Sequence, residues 1–152
     1  MEINNKEIIL AKIQSKFPSV SATTTFGCNS FIITSSIWKE VCAMLRHNKE
    51  FNYNMLVTIS AIDMEKAGIV LFAHLRSIPC NDEIIVKCIL TEENPQVNSL
   101  CELWKSAELY EDEVYDLFGV EFLGHPFLRR IFLEEDFVGH PLKKDYVKVV
   151  EQ

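Results

Sequence analysis

The middle of the chain carries three strand-like runs in close succession: MLVTISAI at residues 55–62, IVLFAHLRS at 69–77 and EIIVKCIL at 83–90. Each run is rich in β-branched and other apolar residues, which favour a half-buried pleated surface. Turn-forming residues separate the runs at 63–68 and 79–82. The pattern predicts three consecutive strands joined by short turns.

The residues upstream predict a helix, a hairpin and a second helix. Asn5 is expected to cap a helix that ends at Lys16, before Pro18. Residues 22–26 and 31–34 are β-rich and are joined by Gly27-Cys28-Asn29, which is typical of a hairpin turn. Ser36 is expected to cap the second helix, whose apolar side is formed by Ile37, Val41, Met44 and Leu45.

The residues downstream predict one more helix and a short strand. Apolar side chains at helical spacing begin at Leu100 and continue to Phe118, and Gly119 is expected to end the helix. A strand follows at 120–123. The element order predicts an α+β fold, a two-layer domain with helices packed on a mixed or antiparallel sheet, followed by an extended irregular C-terminal tail. We divide the chain into a globular part at 1–123 and a partner-docking tail of the same domain at 124–152.

The predicted tail contains two corners with the same sequence, Gly124-His125-Pro126 and Gly139-His140-Pro141. Glycine permits a positive φ, proline fixes its own φ, and the residue before proline is excluded from the helical region. A basic pair follows each corner, Arg129-Arg130 and then Lys143-Lys144. A segment shaped in this way buries little of itself, so we expect it to lie against another surface.

Composition narrows the class of protein. The chain has 152 residues, a net charge of −7 and a pI near 5.1, which fit a single acidic domain and disfavour nucleic-acid binding as the main activity. No apolar run approaches the roughly 20 residues that cross a bilayer, and the N-terminus lacks a secretory layout, so a cytoplasmic protein is expected. The five cysteines lack a Cys-x-x-Cys spacing, which argues against a zinc site or an iron–sulfur cluster, and we expect most of them to be buried.

Charge and histidine placement leave several interpretations open. Six acids and no base lie between residues 108 and 121, a pattern usual for a solvated helix face. His125 and His140 can brace their corners by hydrogen bonding, contact a partner, or join Asp136 or Asp145 in a metal or acid–base site. Arginine is enriched in protein interfaces, so Arg129 and Arg130 are the better candidates for partner anchors.

The segment EDEVYDLFGVEFLGHP at residues 111–126, with LRRI at 128–131 and GHPLKKDY at 139–146, resembles the signature of the 30 kDa subunit of respiratory complex I, the NADH:quinone oxidoreductase. Weaker similarity extends upstream to about residue 50. The resemblance implies a noncatalytic scaffold protein of the peripheral arm, on the cytoplasmic side of the inner or plasma membrane. It also implies docking on the quinone-module subunit that is related to the large subunit of hydrogenases.

The resemblance implies no cofactor, metal or catalytic residue in this chain, whereas the parent complex uses NADH, FMN, iron–sulfur clusters and quinone. From the resemblance, the residues at the signature positions are candidates for contact with a partner. These are Glu111, Glu113, Tyr115, Asp116, Phe118, Gly119, Gly124, His125, Pro126, Arg129, Arg130, Gly139, His140, Pro141, Lys143, Lys144, Asp145 and Tyr146.

The chain departs from the usual signature at a few positions, where it has Asp112, Phe127, Glu134, Phe137 and Val147. Three alternatives stay open. One is the equivalent subunit of a related membrane-bound hydrogenase or F420H2 dehydrogenase, and another is a small metal-dependent enzyme that uses His125, His140 and Asp136. The third is a free-standing interaction module unrelated to respiration.

Overall fold

A computed structural model describes residues 5–25 and 27–148 of the chain. These residues form three helices and seven strands in the order α1 (Asn5–Lys16), β1 (Ser21–Thr25), β2 (Cys28–Ile33), α2 (Trp38–His47), β3 (Met55–Asp63), β4 (Ile69–Ser77), β5 (Asp82–Leu90), β6 (Gln96–Asn98), α3 (Ala107–Phe118) and β7 (Glu121–Leu123). Short 3₁₀ turns precede α2 and join β3 to β4.

The main sheet has five strands in the order β1-β2-β5-β4-β3. The β2–β5 pair is parallel and the other neighbouring pairs are antiparallel, so the sheet is mixed. Alternate side chains of the central strands, such as Leu71, Leu75, Ile84 and Val86, are fully buried, and they share one hydrophobic core with side chains from all three helices. The predicted α+β two-layer architecture is confirmed.

The strands of the predicted sheet lie within one residue of their expected bounds, except that β2 begins at Cys28, three residues before its expected start. Three local predictions were wrong. The hairpin loop is shorter than expected, because Thr25 already pairs with Cys28. Ser36 does not cap α2, since it lies in a 3₁₀ turn and its hydroxyl bonds that of Thr34. The prediction for Phe26 lies outside the described residues.

The third wrong prediction concerns the start of α3. This helix begins at Ala107 rather than near Leu100, and residues 99–106 form turns. The strand β6, which the sequence did not predict, lies just before these turns and pairs in parallel with β7. The expected end of the helix is confirmed, because Gly119 has a left-handed conformation with φ 75° and its N–H bonds the Tyr115 carbonyl.

The tail from residue 124 to 148 contains no regular helix or strand, as predicted, and it lies back along the chain's own α3. The Leu142 N–H donates to the Leu117 carbonyl at 3.0 Å, and the Lys144 N–H donates to the Asp63 carboxylate at 2.8 Å. The boundary after residue 123 stays a prediction. Within the described residues, every helix is too short or too polar to span a membrane.

Candidate functional site

The best-defined polar cluster between the tail and α3 is built around Asp116, near the C-terminal end of α3. Its side chain is fully buried. One carboxylate oxygen accepts the backbone N–H groups of Ile131, Phe132 and Leu133 at 2.8–3.1 Å, and the other accepts a guanidinium N–H of Arg130 at 2.8 Å. Burial acts to raise the pKa of Asp116, but these four donors outweigh it and the pKa lies below its usual range.

Arg130 links this carboxylate to the second corner of the tail. Nη1 donates to the carboxylate and the main-chain carbonyl of Asp116, while Nη2 donates to the carbonyls of Phe137 and Gly139 at 3.0 and 2.8 Å. Only 12% of its side chain is exposed. The guanidinium therefore holds the tail on α3 and also joins two parts of the tail to each other. This internal role differs from the role as a partner anchor that the sequence predicted.

The second corner is completed by His140 and the glycines next to it. His140 Nδ1 lies 2.9 Å from the Asp116 carbonyl, and its ring packs edge-on against Tyr115. A Cβ at Gly119 would lie 2.6 Å from the His140 ring, so the helix end and the tail approach as closely as a glycine allows. Gly139 has φ 92°, which confirms the positive φ expected at this corner.

The first corner contacts the N-terminal half of α3 in a similar way. His125 Nε2 lies 3.0 Å from the Glu108 carbonyl and 3.5 Å from Asp112 Oδ1, and Nδ1 accepts the Phe127 N–H at 3.1 Å. Because Nδ1 accepts a backbone proton, the hydrogen-bond pattern fits a neutral ring with its proton on Nε2. Asp112 also accepts the Arg129 N–H at 3.2 Å. Both corner histidines thus brace the tail, in agreement with the first of their predicted roles.

A third buried carboxylate, Glu111, faces the turn before α3 instead of the tail. It accepts the Ser99 hydroxyl and the Leu100 N–H, both at 2.6 Å, and the Cys101 thiol at 3.3 Å. Burial raises the pKa of Glu111 although these hydrogen bonds act in the opposite direction. In the turn that the sequence had predicted to be helical, the Glu111 carboxylate thus accepts donors that backbone carbonyls would accept in a helix.

The acids of α3 therefore do not form a simple solvated face. Glu111, Asp112 and Asp116 are at most 1% exposed, and each one receives hydrogen bonds from residues outside the helix. Asp112, which the predicted site omitted, is one of the three. The chain departs from the usual signature at Asp112, and this departure was a signal that the residue is unusual. Its backbone partner, however, lies seventeen residues away and cannot be predicted from a local pattern.

The proposed metal site of His125, His140 and Asp136 is wrong. The two histidines bond carbonyls of Glu108 and Asp116, which are eight residues apart, or about 12 Å along a helix. Asp136 is exposed. His125 instead lies near Cys101 and Glu111. That group is poorly suited to a metal, because both ring nitrogens of His125 have backbone partners and burial raises the pKa of Cys101 to about 12.

The other predicted contact residues lie on or near the surface of the tail. Arg129 is exposed, with its guanidinium 5.2 Å from the centre of the Phe127 ring. Lys143, Lys144 and Asp145 line a cleft of about 630 Å³ beside the β3–β4 turn. On α3, Phe118 is buried while Glu113 and Tyr115 are half-buried. Gly124 and Pro126 are exposed, Pro141 is half-buried, and the half-buried Tyr146 stacks on Phe137. Their role in partner binding stays a prediction.

The tail also exposes large apolar side chains, which the sequence reading did not single out. Phe127 and Phe132 are 63% and 64% exposed, and Val138 and Val147 are both 79% exposed. Leu142 is exposed to half of its surface. Repeated apolar exposure of this kind is more usual for an interaction surface than for a surface that faces water permanently.

Comparison with known proteins identifies relatives that match most of the chain. Residues 31–151 match the model of the family described as the 30 kDa subunit of respiratory-chain NADH dehydrogenase. The chain is 36% identical to an NADH-quinone oxidoreductase subunit of Citrifermentans bemidjiense over 96% of its own length and 91% of the relative's.

Two solved structures have a similar fold. A trypsin-resistant fragment of Nqo5 superposes with a TM-score of 0.68 and 28% identity, over 80% of this chain and 98% of that one. A chain of the membrane-bound sulfane sulfur reductase, an archaeal respiratory membrane complex, superposes with a TM-score of 0.65 and 26% identity, over 80% of this chain and 72% of that one. The chain belongs to the family of the 30 kDa subunit of respiratory-chain NADH dehydrogenase, the NADH-quinone oxidoreductase.

Proposed function

We propose that this chain is a noncatalytic scaffold subunit in the peripheral arm of a proton-translocating NADH:quinone oxidoreductase. In this proposal it docks on the hydrogenase-like subunit of the quinone module, on the cytoplasmic side of the inner or plasma membrane. It binds no redox cofactor itself. NADH, FMN, iron–sulfur clusters and quinone belong to its neighbours in the complex.

One observation carries the docking proposal: internal hydrogen bonds hold the tail on α3 while large apolar side chains of the tail are exposed. Asp116, Arg130 and His140 fix the backbone, whereas Phe127 and Phe132 are nearly two thirds exposed. A surface that is already ordered loses little conformational entropy when a partner binds. The tail therefore has the properties of a preformed docking surface.

The chemistry of this surface differs from the one expected from the sequence. Arg130 is used internally, so we assign the main contact to exposed apolar side chains, with Arg129 and Lys144 as peripheral charges. Desolvated aromatic side chains are typical energetic centres of interfaces, and charges at the rim mainly influence the rate of association.

Co-expression with the hydrogenase-like subunit tests the proposal. A Phe127→Ser and Phe132→Ser double variant is expected to reduce co-purification at least about tenfold, since each lost aromatic anchor commonly costs more than 1 kcal/mol. The matched control is Met55→Ser with Ile78→Ser, two exposed apolar residues outside the tail. Circular dichroism of the isolated variants checks that both fold. Equal co-purification of the two double variants would refute the docking surface.

A second candidate is the same scaffold role in a related complex with another electron donor. The similarity to a chain of the archaeal sulfane sulfur reductase favours it. Related membrane-bound hydrogenases and F420H2 dehydrogenases are further members of this group of alternatives. The neighbouring open reading frames decide between them, because genes for NADH-binding subunits accompany only the first candidate.

A further inference from the structure

A cluster of potential metal ligands lies on the outer face of the main sheet, away from α3 and the tail. Cys28 on β2, His74 on β4 and Glu83 on β5 place their ligand atoms within 4.8 Å of one another. All three residues are half-buried. The chain's cysteines gave no zinc motif because Cys28, on β2, is distant in the sequence from His74 and Glu83 on the consecutive strands β4 and β5.

Sheet register explains why the three side chains meet. In the parallel β2–β5 pair Asn29 lies beside Ile84, so the preceding residues Cys28 and Glu83 are neighbours. In the antiparallel β4–β5 pair His74 lies opposite Ile85, two positions from Glu83 and on the same face. The backbone hydrogen bonds of three adjacent strands hold this arrangement, which makes it more rigid than a site on a loop.

The carboxylate of the cluster is already oriented. Glu83 Oε1 lies 3.1 Å from a guanidinium nitrogen of Arg76, while Oε2 lies 3.0 Å from His74 Nε2. Arg76 can therefore hold one oxygen while the other turns toward a metal, which is the usual arrangement of a ligand supported by an outer hydrogen bond. The cysteine, imidazole and carboxylate together form a donor set that suits Zn²⁺.

We propose that Cys28, His74 and Glu83 bind a divalent metal ion of the Zn²⁺ class. The cysteine would bind as a thiolate and the histidine as a neutral ring, so binding releases protons. Three protein ligands leave the fourth tetrahedral position for water or for a ligand from another molecule, and the three half-buried residues are partly accessible to solvent. This site is independent of the scaffold role, because it shares no residue with the tail or α3.

The test uses the full chain stripped of metal, titrated with Zn²⁺ in competition with a chromophoric chelator and with Co²⁺ as an absorbing substitute. We expect one ion per chain and a thiolate-to-cobalt charge-transfer band. Cys28→Ser should remove the band, and His74→Gln and Glu83→Gln should each weaken binding at least about tenfold. Cys80→Ser, which removes an exposed cysteine elsewhere, is the matched control and should change neither result.

Several outcomes would overturn the proposal. Wild-type binding no tighter than that of Cys28→Ser would show that no site exists, and loss of the band in Cys80→Ser or His125→Gln would place a site elsewhere. If Cys28→Ser does not fold, as judged by circular dichroism, the two other ligand variants decide the matter through their loss of affinity. Failure of this test leaves the docking experiment on Phe127 and Phe132 unaffected, so the two proposals can fail separately.

Discussion

Toward each end of α3 a buried carboxylate accepts hydrogen bonds from a segment outside the helix, but the pKa values of the two carboxylates are shifted in opposite directions. Near the N-terminal end, Glu111 accepts donors from the 99–101 turn, and near the C-terminal end Asp116 accepts donors from residues 131–133. Both carboxylates are fully buried. Burial raises the pKa of Glu111, whereas the Arg130 guanidinium and three backbone N–H groups lower the pKa of Asp116.

The difference shows what each carboxylate is for. Glu111 stabilises a turn inside the globular part with neutral donors, so its negative charge is a cost that the fold has to offset. Asp116 is paired with a cation from the tail, so its charge is the attraction that holds the tail on α3. Replacing each acid by its amide should therefore have very different effects on stability.

The largest effect is expected from Asp116→Asn. The substitution leaves the nearly buried Arg130 without its counter-charge, and breaking a buried ion pair by removing one partner typically costs about 3–5 kcal/mol. Denaturant unfolding measures the loss of stability, and limited proteolysis should show faster cleavage within residues 124–148.

Asp145→Asn is the matched control for this change, because Asp145 is an exposed acid in the same tail. It should leave stability within about 0.5 kcal/mol of wild type. A loss of less than about 1 kcal/mol in Asp116→Asn would mean that the tail is held mainly by its apolar contacts and not by the ion pair.

A smaller loss is expected from Gly119→Ala, which tests how closely the tail approaches the end of α3. Gly119 has φ 75°, and an added Cβ would lie 2.6 Å from the His140 ring. Gly124→Ala is the control, since its φ is 82° but its added Cβ would meet no atom within 4 Å. Both variants carry the backbone cost of about 1 kcal/mol for a non-glycine residue in this region. Thermal unfolding should show Gly119→Ala to be the more destabilised, and equal losses would contradict close packing of His140.

Glu111→Gln is expected to have a modest effect at neutral pH, at most about 1 kcal/mol. The amide oxygen can still accept the Leu100 N–H, and the amide nitrogen can donate to the Ser99 hydroxyl oxygen. The Ser99 hydroxyl proton and the Cys101 thiol lose their acceptor, but the removal of a buried charge offsets this loss. Denaturant unfolding at several pH values is the measurement. A loss above about 3 kcal/mol would show that the charge itself is required.

The pH dependence of Glu111→Gln has a definite sign. The pKa of Glu111 is raised in the folded state, so protonation of this carboxyl favours folding. This contribution to stability is complete below the ordinary pKa near 4.5 and is lost as pH rises through the pKa of the folded state. The stability of Glu111→Gln relative to wild type should therefore increase over that range and then level off.

The pH dependence of Asp116→Asn has the opposite origin. Its loss of stability relative to wild type should shrink as pH falls below 3.8, because the pKa of Asp116 is lowered in the folded state.

Much of the sheet could be predicted from the sequence because the signal is local. The runs at 55–62, 69–77 and 83–90 are apolar, β-rich and bounded by turns, and the structure places β3, β4 and β5 at nearly the same residues. The positive φ of Gly139 and the helix end at Gly119 also follow from local chemistry, because few other residues adopt these conformations.

The interior of the candidate site could not be predicted in the same way. Leu100, Leu103 and Trp104 have helical spacing, but the Glu111 carboxylate holds their segment in a turn from outside it. The acids of α3 resemble a solvated face because nothing near them in the sequence is basic. Their burial depends on backbone N–H groups and on Arg130, which lie more than ten residues away and become neighbours only after the chain has folded.

The smallest effect is expected from Arg129→Gln, although Arg129 and Arg130 are adjacent and looked equivalent in the sequence. Arg129 is exposed and its guanidinium lies against the Phe127 ring, so its loss should change the free energy of unfolding by no more than about 0.5 kcal/mol. Arg130→Gln is the matched comparison and should expose the tail to protease, as Asp116→Asn does, because it removes the same ion pair. Equal destabilisation by the two variants would show that both arginines brace the tail. A stable Arg129→Gln variant with weaker partner binding would instead show that Arg130 is an internal support and Arg129 a peripheral contact. Adjacent residues can have such different roles because the irregular backbone of the tail directs their side chains to different surroundings.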